Sequence, residues 1–216
     1  MSFDRARSKE NKEIRFTEIK NAACKLFDTM AYSDITLSKI SAEINFTRAN
    51  LYKYVKSKEE IFILIMKDEY NSLVKDLKEN LMLDHPLDSK SFCNLYANVC
   101  GKHTRFLKLQ TILSSIIEEN TNIETLIEYK NGFVDIIKDF YDIYNFNFNG
   151  LDSDDIFKIM DYSNSLMISR HIVCHSSEKQ QLALQASKFN FQVPDFEETL
   201  SEAMQYLIKG IKVSKL

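Results

Sequence analysis

Apolar residues recur at helical spacing along most of the chain. Ile19, Ala22, Ala23, Leu26, Phe27 and Met30 share one face of a first helix predicted from about Ile14 to Met30. Thr36 or Ser38 can cap a second helix, with Leu37, Ile40, Ser41 and Ile44 inward. Thr47 caps a short third helix through about Tyr54. Ser57 and Glu60 form a capping-box pattern that opens a long fourth helix, from Lys58 to about Leu83, stopped by Asp84-His85-Pro86. Further helices are predicted at 88–100, 102–119, 122–145, 153–176 and 195–213, with 145–150 as a loop. Segment 177–194 is ambiguous: 180–189 reads as helical and Pro194 resets the chain. No alternating pattern long enough for a sheet stands out, so the expected fold is all-α. Residues 1–12 are polar, lack a core stripe and read as a loose arm, from which Arg5, Arg7, Lys9 and Lys12 can reach phosphate.

Composition supports that reading. Only 4 Gly and 2 Pro interrupt 216 residues, and the hydrophobic share of 44% suffices for a core. No apolar run has membrane-spanning length and the first 20 residues are charged throughout, so no membrane association is expected and the cytoplasm is the expected location. The 4 cysteines show no CxxC pair and read as free thiols.

Charge divides the chain. Residues 1–60 hold 12 Lys and Arg against 9 Asp and Glu, net +3, and the rest holds 16 against 22, net -6. A basic end can sit on phosphate while an acidic body is repelled from it. Within the basic end, residues 36–61 read TLSKISAEINFTRANLYKYVKSKEEI. Two short helical patterns flank a tight Glu43-Ile44-Asn45-Phe46 break, the layout by which a helix-turn-helix offers a recognition helix to the major groove.

These residues also carry a resemblance. Leu26-Phe27, Ala31-Tyr32, Thr36, Ile40, the run Thr47-Arg48-Ala49-Asn50-Leu51-Tyr52, and Tyr54, Lys58-Glu59 and Ile61 resemble the N-terminal domain of the TetR family of transcriptional regulators over residues 14–70. The chain departs from the family pattern at Ser41, Asn45, Ala49 and Val55. Asn45 tolerates the left-handed backbone that the turn needs. The resemblance implies a helix-turn-helix DNA-binding domain over 1–57, with 1–12 as a flexible arm. It further implies a helical effector-binding and dimerisation domain over 58–216, with helix 58–83 linking the two.

The expected DNA contacts are Thr36, Thr47, Arg48, Asn50, Tyr52, Lys53, Tyr54 and Lys58. Thr47 stands at a helix N-terminus, where its hydroxyl and free backbone amides can hold phosphate. Arg48 can read guanine, Asn50 can pair bidentately with adenine, and the two tyrosines can place hydroxyls on phosphate. Lys53 is an alternative base or phosphate contact, and Lys58 is expected to clamp phosphate. Leu51 should point inward. The competing reading is an ordinary solvated helical corner.

Behind the head no sharp motif occurs. The resemblance implies a small-molecule effector, a homodimer, a palindromic double-stranded operator and repression rather than activation. Pocket candidates are Tyr96, His103, Phe106, Gln110, Tyr129, Phe133, Tyr162 and Met167, drawn from middle-helix stripes that also hold Leu109, Leu113, Asn131, Ile137, Phe140 and Asn164. Any one of them can equally be plain core. Dimer candidates are Ile156, Met160, Ser163, Met167, Leu200, Met204 and Leu207, whose stripes can instead pack within one chain. His171, Cys174 and His175 have metal-compatible spacing without an evident fourth ligand, so no metal or other cofactor is assigned. No phosphate-binding glycine loop, nucleophile elbow or HExxH occurs, which argues against an enzyme. Two alternatives stay open: a regulator without a small-molecule effector, and a helical enzyme or adaptor with a vestigial head.

Overall fold

The computed structural model describes residues 2–189 and 191–213, with side chains from Lys12 onward. No strand occurs among the described residues, and the fold is all-α. The helices are α1 (Ser2–Thr29), α2 (Leu37–Glu43), α3 (Arg48–Leu51), α4 (Lys58–Leu81), α5 (Ser89–Lys102), α6 (Thr104–Gln110), α7 (Ile123–Asn131), α8 (Phe133–Asn147), α9 (Ser153–Cys174), α10 (Glu178–Ala186) and α11 (Phe196–Val213). A 3-10 turn covers Tyr32–Asp34 and a π turn covers Leu113–Glu118.

Several boundaries differ from the sequence expectation for local reasons. α1 reaches back to Ser2, through the segment expected to be a loose arm. Residues 2–12 contain neither glycine nor proline, so nothing stops the helix that the apolar face behind them nucleates. The side chains of Arg5, Arg7 and Lys9 lie outside the described residues. The helix expected over 102–119 divides into α6 and the π turn, and the one over 122–145 breaks at Gly132 into α7 and α8. α8 continues into the expected 145–150 loop because the buried Asn147 side chain holds it there. Its amide donates to Leu81 O at 3.0 Å and Ile143 O at 2.9 Å, and its Oδ1 accepts from Leu87 N at 2.9 Å. The ambiguous 177–194 segment contains α10, opened by a capping box between Ser177 and Gln180.

Packing divides the chain into two compact units that do not follow the contiguous ranges 1–57 and 58–216. The first holds residues 1–68 and 112–131; the second holds 69–111 and 132–216. In the first, Ile19, Ala23, Ile40, Leu51 and Phe62 form a fully buried core. Phe27 and Tyr32 meet each other and Phe62 edge-on or tilted, with ring centroids 5.1–6.4 Å apart. The 112–131 segment joins this unit because Ile117 is fully buried and Asn122 donates a short hydrogen bond to Glu60. These contacts are distant in sequence, so no local pattern announces them.

In the second unit α11 packs against α5 and α9. Phe92, Ile156, Ile159, Leu200, Met204 and Ile208 are fully buried there, each contributing about 1.5–3 kcal/mol by leaving water. Ser201 donates to Asn94 at 2.6 Å and Asn98 to Glu197 at 3.0 Å, which fixes the register of α5 on α11. This packing corrects the dimer expectation. Ile156, Ser163, Met167, Leu200 and Met204 are buried within the single chain and offer no surface to a second copy. Met160 and Leu207 are half-buried and retain some outward surface. The α9 and α11 stripes serve intrachain packing first, because α11 has the α5 and α9 faces to cover.

Candidate functional site

The first unit presents a polar helical corner. Thr36 caps α2, its hydroxyl accepting from Lys39 N at 3.3 Å. Thr47 caps α3, accepting from Asn50 N at 3.2 Å. Between the helices Asn45 adopts φ 52°, the left-handed conformation that asparagine tolerates better than most residues. The chain then closes with Phe46 N on Ser41 O at 2.8 Å. Leu51 is fully buried, as its inward assignment expects. α3 is a single α turn, and the next turn tightens to Lys53 N on Asn50 O and Tyr54 N on Leu51 O.

That geometry leaves Thr36, Thr47, Arg48, Asn50, Tyr52 and Lys53 exposed. Arg48 lies over the Tyr52 ring and donates to its hydroxyl at 3.0 Å, and Lys53 donates to Asn50 Oδ1 at 3.1 Å. These exposed local pairs are weak and exchange readily for a ligand of higher charge. Tyr54 differs: it is half-buried, its ring edge-on to Phe16 at 5.6 Å and tilted against Phe46 at 6.3 Å.

Lys58 also has structural duties. Its ammonium donates to Tyr32 O at 2.8 Å and Ile35 O at 3.0 Å and sits 4.1 Å above the Tyr32 ring. Two of its three N–H groups thus tie α4 to the 3-10 turn, leaving one for a further partner. Burial, then the neighbouring Glu59, pushes the Tyr32 phenol up, so it stays protonated and donates to Glu59 at 3.1 Å. Sequence reasoning passed over Arg15, whose exposed guanidinium lies 5.3 Å from the Phe46 ring centroid on the flank of this corner. Its place beyond the helix-turn-helix segment gave no local signal.

The second unit holds a cavity of about 470 Å³. Of the pocket candidates, Tyr96 and Phe133 line it, with Ile137, Phe140 and Asn164 from the same stripes. Phe106 and Gln110 stand behind Tyr70, the one edge-on to its ring at 4.7 Å and the other donating a short hydrogen bond to its hydroxyl. His103 instead meets Asp76 at 2.9 Å. Tyr129 belongs to the first unit, Tyr162 is exposed, and Met167 is buried away from the wall. Sequence reasoning missed Tyr70, Tyr144, Phe157 and Asp161 as wall residues; Met160, expected at a dimer face, also lines the cavity. Burial pushes the Tyr96 and Tyr144 phenols up, so both walls stay neutral.

His171 and His175 pack ring to ring at 4.2 Å, with His175 Nδ1 at 3.1 Å from His171 O. Burial, then His175 and Lys108, lowers His171 to about 4. Among the described residues no group of three or more His, Cys, Asp or Glu is placed to hold a metal ion. None of the described helices is long and apolar enough to cross a membrane.

Comparison with known proteins divides the chain contiguously, with residues 112–131 on the C-terminal side. Residues 19–65 match the family model described as bacterial regulatory proteins, tetR family. Residues 67–215 match the model described as tetracyclin repressor-like, C-terminal domain. A solved structure of the fatty acid degradation regulator FadR from Bacillus halodurans shares the fold, with a TM-score of 0.55 at 13% identity, covering 90% of this chain and 94% of that one. No curated protein matches in sequence. A helix-turn-helix head with an exposed polar corner, followed by a helical body that matches the family over most of the remaining chain, places this protein in the TetR family: it is a DNA-binding transcriptional regulator.

Proposed function

We propose that the protein is a homodimeric repressor that leaves a palindromic operator when a small amphiphilic ligand fills the cavity of the second unit. The carrying observation is that cavity, whose wall is mostly aromatic and aliphatic with a few polar groups. A ligand that prefers one of two states shifts their populations by its differential affinity. α4 is the natural element to respond, because Lys58 opens it in the head and Tyr70, on the same helix, lines the cavity. FadR of Bacillus halodurans is named for fatty acid degradation, and an amphiphile is likewise the class of molecule that a cavity of this lining suits.

Thr36, Thr47, Arg48, Asn50, Tyr52 and Lys53 are the proposed DNA contacts, with Tyr54 and Lys58 chiefly holding the corner in shape. A second copy would meet the outward residues of α9 and α11, including the exposed Tyr162 and Tyr206 beside Met160 and Leu207. No catalytic role is assigned to any residue, and a regulator of this kind works in the compartment that holds the chromosome.

Purified protein incubated with sheared genomic DNA tests the reading. Bound fragments should share a palindrome with half-site centres about 34–36 Å apart, or a multiple of that spacing. Recovery of no enriched motif, or of a single half-site bound by one chain, would remove the dimeric repressor.

A further inference from the structure

The charge of the cavity wall narrows the ligand class. No Lys, Arg or His lines it, and Asp161 is its sole ionisable carboxylate. Asp161 is exposed, and among the described residues no cation pairs with it, whereas Tyr96 and Tyr144 are buried. The acid therefore stands at the opening and the phenols form the floor. Asn164 follows Asp161 by three residues on α9, so both fall on the same helix face.

Between opening and floor the wall is aromatic. The Phe133 and Phe140 rings stand edge-on to Tyr70 at 4.6 and 6.4 Å, with interplanar angles of 83° and 88°. Rings set at right angles turn faces toward more than one side of a guest, the arrangement by which aromatic cages hold quaternary ammonium groups. At the floor the Tyr144 hydroxyl lies beside those of Tyr96 and Ser163. An anionic head at the opening would face Asp161 with no cation to hold it; a cationic head would meet both a counter-ion and ring faces.

Building on the ligand-responsive reading above, we propose that the cavity takes a lipophilic organic monocation, such as a quaternary ammonium with an apolar tail. Asp161 is the counter-ion, and Tyr70, Phe133, Phe140 and Phe157 form the walls.

Titration calorimetry of the full chain with decyltrimethylammonium, decanoate and decanol tests this, because the three share one tail and differ in head charge. The cation should bind about tenfold or more tighter than decanoate. Asp161→Asn should remove about tenfold of that affinity without moving the melting temperature of the free protein, since the residue is exposed. Phe140→Ala should weaken the cation and the alcohol together. Decanoate binding as tightly as the cation, or Asp161→Asn leaving cation affinity unchanged, would overturn the charge assignment. Binding by none of the three would overturn the cavity assignment itself. Operator release, followed by fluorescence anisotropy, separates this proposal from the reading beneath it. Release by decanol or decanoate and not by the cation sinks the monocation and leaves a ligand-responsive regulator. Cavity binding by any of the probes without release sinks the ligand-responsive reading instead.

Discussion

The helix-turn-helix corner of the first unit and the helical core of the second are fixed by different kinds of contact. In the first, the helix-turn-helix corner is fixed by bonds that span only a few residues: the Thr36 and Thr47 caps, the Asn45 turn and the closing bond from Phe46 to Ser41. In the second, the register of α5 against α11 rests on pairs such as Asn94 with Ser201, 107 residues apart. The contrast extends to chemistry. The first unit displays charged and hydroxyl groups to solvent, and the second encloses rings around a space. A surface that reads phosphate and base edges must remain wet and adaptable, whereas a ligand cavity gains strength by excluding water.

If the units are energetically separate, a lesion in one should spare the other. Leu51 is fully buried and seats α3 on the head. Leu51→Ala should cost about 2–5 kcal/mol, the usual range for emptying a core leucine site, and abolish DNA binding. Binding of an alkyl probe in the cavity should survive. Anisotropy on a recovered DNA fragment and calorimetry on the same sample check both halves. Loss of both activities would show that the units melt as one, and the comparison would fail.

The same contrast explains what the chain disclosed in advance. Capping residues, a turn asparagine and an inward leucine act within one or two helical turns, so the helix-turn-helix corner could be placed residue by residue. The body's helices were legible too, because their apolar period is local. Which side of each helix meets which partner was not. Met204 and Ser163 carry the same stripe whether they face a second copy or their own chain, and only the assembled fold shows them closed within one chain. Tyr70 escaped as a wall residue for the same reason: it lies on the helix that the head begins. Lys58 carries a second role that the chain did not disclose. A lysine at a helix start invites a phosphate, and only the fold reveals two carbonyls already within its reach.

A pH series sharpens the account of the second unit. His171 is buried, lacks a hydrogen bond on Nδ1, and is lowered to about 4 from an ordinary 6.5. The folded protein therefore binds fewer protons here than the unfolded chain between those values, so stability falls as pH drops from about 6.5 toward 4 and is fully present above 6.5. The loss should reach about 2–3 kcal/mol. Melting temperatures of the parent and of His171→Leu, compared from pH 7.5 to 4.5, isolate it from the carboxylates and the other histidines. The variant should show the shallower decline, and equal slopes would mean that His171 titrates normally.

Lys58 offers the finest test, because it stands where shape and charge meet in the head. Its removal deletes two charge-assisted bonds to carbonyls and a cation above the Tyr32 ring, at a cost of about 1–3 kcal/mol in stability. DNA affinity should fall as well, and the salt dependence tells why. A lysine that touches phosphate releases a counter-ion on binding, so its loss lowers the slope of log affinity against log salt by about 1. A lysine that only holds α4 to the turn leaves that slope intact while affinity drops at every salt concentration. Two of the three N–H groups are already engaged within the head, so Lys58→Met is expected to lower the melting temperature, weaken DNA binding and keep the parent slope. A slope reduced by a full unit would return Lys58 to the set of residues that touch the backbone of DNA.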